Sequence, residues 1–349
     1  MSKQKVVIIL MLVVALMVSN IGILFGQSHL NGDDIEEVYI IPTFNLLGIN
    51  SKREASMVFT GDVSFGTPYG RKSSRFHKAF KENEEDLSYF FKGVESVTKE
   101  ADGVFINLEN PFTNSQNYTD KIWTYKAHSN SYVKFLKDNN IKWANIINNH
   151  SHDYKQKGLD DTIKLLEEKN ILPVGTNKSN STSNEIPSVK VDRKEIIDIN
   201  GIKVGVAGYL GFYSNSVSHS KLKEDIEYLK ENSDYVVINF HWGGQRTQSI
   251  TGRQKQLGRL SIDYGADLII GNHPHVLQKI EEYKGKKIYY SLGNLFFVHQ
   301  YSVKSKNTDS LLVELNLTKT GDKVKSNIRE IPINWAGSKN TNIFKPYIK

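Results

Sequence analysis

The stretch Leu268-Ile269-Ile270-Gly271-Asn272-His273-Pro274-His275-Val276 carries two histidines, one proline apart, at the end of an apolar run. A parallel strand that delivers imidazoles to its carboxyl end puts them where open α/β sheets keep their ligands. If the proline holds the segment extended, alternate side chains point the same way, and His273 and His275 present their rings to neighbouring positions suited to two adjacent metal ions. The same ending recurs. Residues 56–60 run into Gly61-Asp62, residues 103–108 into Glu109, residues 143–148 into Asn149-His150, and residues 235–240 into His241. Asp62 offers a carboxylate, and Glu109 can bridge two ions with its two oxygens. Asn149 offers a carbonyl oxygen, His150 can shuttle a proton, and Asp153 can orient it. His152 has the right type but no evident role, and it reads as a surface residue. Oxygen and imidazole ligands without thiolates suit Mn, Fe or Zn and argue against a structural zinc site. Two such ions would bind a phosphate or another tetrahedral oxyanion, so the reaction class is metal-assisted hydrolysis or transfer.

The elements that must carry these residues alternate. Helical spacing appears over 87–99, with Leu87, Phe90, Phe91, Val94 and Val97 on one side, and again over 132–137, 222–232 and 253–264. Gly158 and Asp161 open a further helix with Ile163, Leu165 and Leu166 as its apolar positions. Strands interleave with these helices and continue at 171–175 and 287–294, which predicts an α/β class with parallel strands. Residues 195–200 and 203–209 flank Asn200-Gly201, a hairpin signal, because both central positions of a type I′ turn need positive φ. That pair passes the chain from the first half of the sheet to the second. Residues 177–184, rich in Ser and Asn, read as a loop insertion. Residues 310–318 and 328–334 alternate around Lys319-Thr320-Gly321-Asp322 and are expected to form an antiparallel edge.

The chain has 349 residues, 39% hydrophobic, and no cysteine, enough for one large α/β domain or two smaller ones with a real core. Residues 6–25 are almost uninterruptedly apolar behind Lys3 and Lys5. At 1.5 Å per residue, such a helix crosses a bilayer core of about 30 Å. No small-x-small cleavage site follows, so the expectation is an uncleaved signal anchor with everything after Gln27 outside the cytoplasm. The expected organisation is an anchor over 1–27, a membrane-proximal stalk over 28–55, a catalytic-type domain over 56–335 and a tail over 336–349. The net charge of +7 is spread over lysine-rich helices and loops. No helix-turn-helix, finger or RNA-binding signature accompanies it, so nucleic acid is not an expected partner. A basic exterior domain can instead hold a polyanion or lie near an anionic envelope.

Taken in order, Gly61-Asp62, Asn107-Leu108-Glu109-Asn110-Pro111, Asn149-His150 with Asp153, His241-Trp242-Gly243, Gly271-Asn272-His273-Pro274-His275-Val276 and Ser291-Leu292-Gly293-Asn294 form a specific set. Over residues 56–335 the chain resembles the CapA-like poly-γ-glutamate capsule biosynthesis proteins, of the calcineurin-like metallophosphatase fold. The resemblance implies a two-sheet α/β/β/α sandwich after a single amino-terminal transmembrane helix. It also implies action outside the membrane beside a membrane-bound polyglutamate synthase complex, with an acidic polymer at hand. By the same resemblance Asp62, Glu109 and His275 would hold one metal, and Glu109, Asn149, His241 and His273 the other. His150, with Asp153, would protonate a leaving group, and Asn110 and Asn294, inside the motifs, are expected to bind substrate. The pattern departs from the family at four places. Ser64 stands where metallophosphatases usually carry a metal-binding histidine, and Glu109 replaces their bridging aspartate. Asn272 and Gly244 stand where many CapA-like chains have histidine and an acidic residue. Two other functions fit the same residues: a general envelope phosphoesterase unrelated to capsule, and a non-catalytic polyanion-binding module.

Overall fold

The structure, a computed structural model, describes residues 22–30, 33–41, 51–68, 74–83, 86–121, 123–127, 130–175, 194–212, 217–298, 308–336 and 345–349. The chain divides into two units, Met1–Arg53 with Lys319–Lys323, and Glu54–Thr318 with Val324–Lys349. In the first, Gly22–Leu30 (β1) pairs antiparallel with Asp33–Ile41 (β2). The amino-terminal helix expected over residues 6–25 is not borne out over its last four residues. Residues 6–21 lie outside the described residues, and residues 22–25 are strand. Gly22 is a poor helix former, and Ile41, Ile40 and Val38, in register with Gly22, Ile23 and Phe25, are of β-branched types that favour strands. Among the described residues no helix is long and apolar enough to cross a membrane.

The remaining strands follow as Lys52–Ser64 (β3), Thr67–Pro68 (β4), Gly103–Leu108 (β5), Tyr125–Lys126 (β6), Ile141–Asn145 (β7), Leu172–Val174 (β8), Lys194–Ile199 (β9), Ile202–Leu210 (β10), Tyr235–His241 (β11), Leu268–Asn272 (β12), Ile280–Tyr283 (β13), Lys286–Tyr289 (β14), Asn294–Phe297 (β15), Asp309–Thr320 (β16), Lys323–Asn334 (β17) and Tyr347–Ile348 (β18). The helices are Ser74–Glu82 (α1), Glu95–Thr98 (α2), Asn130–Asp138 (α3), Lys155–Glu168 (α4), His219–Asn232 (α5) and Gly252–Asp263 (α6). One sheet has the order β18-β17-β16-β3-β5-β7-β8, with β15 also on β3; the other has the order β13-β14-β12-β11-β10-β9. The pairs β3-β5, β5-β7, β7-β8, β10-β11, β11-β12 and β12-β14 are parallel.

Side chains alternate faces along a strand, and here each face meets a different core. Met57 and Phe59 of β3, Phe105 of β5 and Trp143 of β7 pack with Val204 and Val206 of β10, Val237 of β11 and Leu268 and Ile270 of β12, which makes the layer between the sheets. Val58, Val104 and Ile106 turn the other way, onto Val133 and Leu136 of α3 and Leu159 and Leu166 of α4. Val236, Ile238 and Phe240 likewise face Leu222, Ile226 and Leu229 of α5 and Leu257 of α6. The result is the expected α/β fold of two sheets with helices on both outer faces. A capping box between Thr251 and Gln254 starts α6 soon after the loop that follows β11.

Several local expectations are met or moved. Asn200 and Gly201 have φ of 55° and 78°, and the hairpin joins β9 to β10. The helix expected over 87–99 breaks into a 3-10 turn, Leu87–Phe90, and α2. Between them lies Gly93, where a Cβ would stand 2.0 Å from the Pro346 carbonyl oxygen, a close approach that only glycine allows. The single strand expected at 287–294 is two strands in different sheets, β14 and β15, because Gly293 turns the chain at φ 78°. The strands expected at 310–318 and 328–334 are β16 and β17, neighbours in the sheet; β16 also lies beside β3, and β18 pairs with β17 at Ile333 and Asn334.

Candidate metal centre

The carboxyl ends of the parallel strands from both sheets converge. β3 approaches through Gly61, where a Cβ would stand 2.2 Å from the Gly293 carbonyl oxygen; Asp62 N–H donates to that same oxygen at 2.9 Å. In register across the sheet, Asn294 of β15 pairs with Asp62, Asp62 with Asn107, and Asn107 with Asn145. From the other sheet, His241 closes β11 and lies in register with Asn272 of β12.

Two groups of possible ligand atoms result, each within a 4.8 Å span: Glu109, His241 and His273, and Asp62, Glu109 and His275. All five residues are buried, and Glu109 belongs to both groups. From Glu109 Oε1, His241 Nε2 lies at 3.5 Å, His275 Nε2 at 3.7 Å, His150 Nε2 at 3.8 Å and His273 Nδ1 at 4.0 Å. Both Glu109 oxygens are buried with no hydrogen-bond partner among the described residues. A buried carboxylate costs several kcal/mol unless compensated, and here only surrounding imidazoles oppose that cost. Two free oxygens facing nitrogens on either side are the donor set a divalent cation pair takes, so these residues fit metal ions and could hold them.

The electrostatics are divided. Burial works against ionisation of Glu109, but His275 and His241 outweigh it and hold the carboxyl well below the usual range. Burial likewise opposes charge on His275, yet Glu109 and Asp62 raise it to about 9. Burial and the neighbouring His241 push His273 down to about 2, so its ring is neutral. A neutral imidazole is the ligand form.

The histidine pair does not sit as an extended segment. β12 ends at Asn272, and His273 and His275 take φ of 98° and 58° on either side of Pro274. Two left-handed residues turn the chain, so the rings diverge, 5.7 Å between centroids, and enter different groups. His273 Nδ1 lies 3.1 Å from His241 Nε2, with Phe212 edge-on at 4.3 Å, and its N–H reaches Asp62 Oδ2 at 3.1 Å. His275 Nδ1 lies 3.2 Å from Asp62 Oδ2 and 3.0 Å from Asn294 Oδ1. Non-glycine residues in this region cost on the order of 1–3 kcal/mol each, strain that persists only where surroundings impose it.

Among the remaining expected residues, Asn149 Oδ1 meets His241 Nε2 at 2.7 Å. His150 Nδ1 meets Asp153 Oδ2 at 2.7 Å, which leaves Nε2 directed at the centre. Asp153 is fully buried and also accepts from Tyr125 N–H at 2.6 Å and from Lys121 Nζ. Asn294 orients His275. Asn110 is not part of the cluster: its Oδ1 accepts from Phe65 N–H at 2.7 Å and its Nδ2 donates to the Pro111 carbonyl at 3.1 Å, so the side chain braces the backbone. Ser64 Oγ accepts from Gly66 N–H. His152 is half-buried rather than on the surface and stays outside both groups. Sequence reasoning missed Asn107, whose amide touches both Asp62 and His241. Its position two residues before Glu109, on the same strand parity, was the available signal. Lys121, in a polar loop, carried none.

Fold and donor set together are consistent with a metallophosphatase-like domain. Residues 56–299 match the family described as bacterial capsule synthesis protein PGA_cap, and the chain belongs to that family. It is 33% identical over 280 residues to the PGA biosynthesis protein CapA of Bacillus subtilis (strain 168), covering 76% of this chain and 68% of that one. It is 31% identical over 301 residues to the capsule biosynthesis protein CapA of Bacillus anthracis, covering 79% and 68%. A probable polyglutamine synthesis accessory protein of Mycobacterium tuberculosis (strain CDC 1551 / Oshkosh) is 22% identical over 210 residues, 56% of this chain and 55% of its own.

Proposed function

We propose that this protein serves poly-γ-glutamate capsule synthesis or export as an accessory of the synthase complex, with a dinuclear hydrolase-like centre that acts on a phosphoester or amide bond. The observation that carries the reading is the buried Glu109 carboxylate, unpartnered and shared by two ligand groups. Asp62, Glu109 and His275 would hold one ion; Glu109, Asn149, His241 and His273 would hold the other. Bound there, Mn, Fe or Zn supplies Lewis acidity and activates water. The chain's own part is acid-base. Asp153 takes the Nδ1–H of His150 and fixes the ring, so Nε2, on the side of Glu109, delivers the proton to the leaving group. Lys121 and the Tyr125 N–H both donate to Asp153 and hold it in place. The names of the relatives support the polymer assignment, and the basic charge suits an acidic polymer. The apolar amino-terminal run behind Lys3 and Lys5 supports a membrane location with the second unit on the outer side; protease added to intact cells would digest it there and spare it if it faced the cytoplasm.

Elemental analysis of the purified chain beside an Asp62→Ala/His273→Ala variant tests the centre. About two equivalents of Mn, Fe or Zn, lost in the variant, are expected. No metal in either protein after reconstitution sinks the reading.

A further inference from the structure

We propose that Asn107 couples the two ligand groups, so that filling one changes the other; this rests on the metal-centre reading above. Asn107 lies buried in β5, in register between Asp62 and Asn145. Its Nδ2 donates to Asp62 Oδ1 at 2.7 Å and lies 3.1 Å from His241 Nδ1, while its Oδ1 accepts from Asn145 Nδ2 at 2.7 Å. A carboxylate only accepts, so Asp62 dictates which end of the amide faces it. The second Nδ2 hydrogen then goes to His241, across the gap between the sheets, and makes Nδ1 the acceptor.

In the neutral ring the His241 hydrogen is therefore on Nε2, against Asn149 Oδ1 at 2.7 Å. Nε2 is also the atom turned towards Glu109. When its lone pair is engaged by an ion, the ring hydrogen sits on Nδ1, where it faces a donor. A half-turn of the Asn107 amide passes the conflict on to Asp62: Oδ1 accepts from Nδ1–H and takes the donor's place beside Asp62 Oδ1, where two acceptors meet unless a cation occupies the Asp62 group. Asn145 can follow. Its Oδ1 is buried without a hydrogen-bond partner among the described residues, and it accepts from Asn107 Nδ2 once both amides have turned. The space is kept open by Gly208, where a Cβ would stand 2.1 Å from that oxygen. Occupation of the His241 group thus favours a cation in the Asp62 group, and the two fill as a linked pair.

Calorimetric and visible-absorption titration of the full chain with Co2+ tests this, beside Asn107→Leu and Asn294→Ala. In the parent chain the second ion binds with an affinity altered by the first. In Asn107→Leu the two steps become independent, each weakened roughly 10- to 100-fold, with the Co2+ spectrum changed at both. Asn294→Ala, which removes the side-chain contact to His275 at 3.0 Å, changes one step and leaves the linkage. Circular dichroism of the metal-free proteins separates lost fold from lost coupling. Asn107→Ser, polar but too short to span both partners, repeats the test if the leucine variant does not fold. Parent-like linkage in either Asn107 variant overturns the proposal. A parent chain that takes up no Co2+ overturns the metal reading beneath it.

Discussion

The two sheets give the centre different chemistry. The eight-stranded sheet and its loops provide oxygen, from Asp62, Glu109 and Asn149, and the proton-carrying pair His150 and Asp153; the six-stranded sheet provides imidazole, from His241, His273 and His275. Neither half is a site alone. The oxygen side without the imidazoles is a buried, unpaired carboxylate, and the imidazole side without the carboxylates is a crowd of rings that repel one another's charge. Opposition across the gap is what makes each tolerable. An ion bound there would therefore tie one sheet to the other.

The strongest way to break that comparison is to remove the residue both groups share. Glu109→Gln is expected to lower metal content from about two ions per chain to none and to abolish hydrolysis, as read by elemental analysis; retention of both ions would mean the oxygen side is dispensable. A smaller change comes from the proton pair. His150→Ala should leave metal content intact and slow turnover of a simple phosphodiester by roughly 10²- to 10⁴-fold. Loss of metal in that variant would mean His150 belongs to the ligand set instead.

The comparison sharpens with pH. Without metal, His275 has its folded value raised from the ordinary 6.5 to about 9 by Glu109 and Asp62. Its stabilising contribution is therefore complete below about 6.5 and is lost as pH rises through about 9. Metal binding has the opposite slope, because an ion must displace that proton: affinity is expected to climb, by up to about tenfold per unit, until pH reaches about 9. Melting temperatures with and without Mn2+ across this window should diverge as pH rises, and parallel curves would separate His275 from the ligand set. The smallest effect expected is at Lys121→Met. It removes one of three contacts to Asp153 and should slow turnover only a few-fold, with metal content unchanged.

Much of this was legible beforehand because it is local. Short continuous apolar runs marked the strands, and polar residues following them marked the edge where Asp62, Glu109, His241 and the histidine pair meet. Asn200-Gly201 announced its hairpin through the φ values that turn demands. The amino-terminal run read as a helix by hydropathy alone, whereas residues 22–25 of it pair with a β-branched partner that hydropathy does not weigh. The run over 287–294 read as one strand because its composition is continuous, and only Gly293 divides it between two sheets.

By itself the sequence determined which residue types stand at the strand ends, and hence the oxygen and nitrogen character of the centre, because alternation and strand ending are properties of neighbours along the chain. Tertiary structure alone decided how those residues are held: that His273 and His275 turn apart around Pro274 instead of running extended, that Asn110 braces backbone while Asn107 reaches across to His241. Those choices depend on left-handed backbone and on contacts between residues more than a hundred positions apart, which no local pattern encodes.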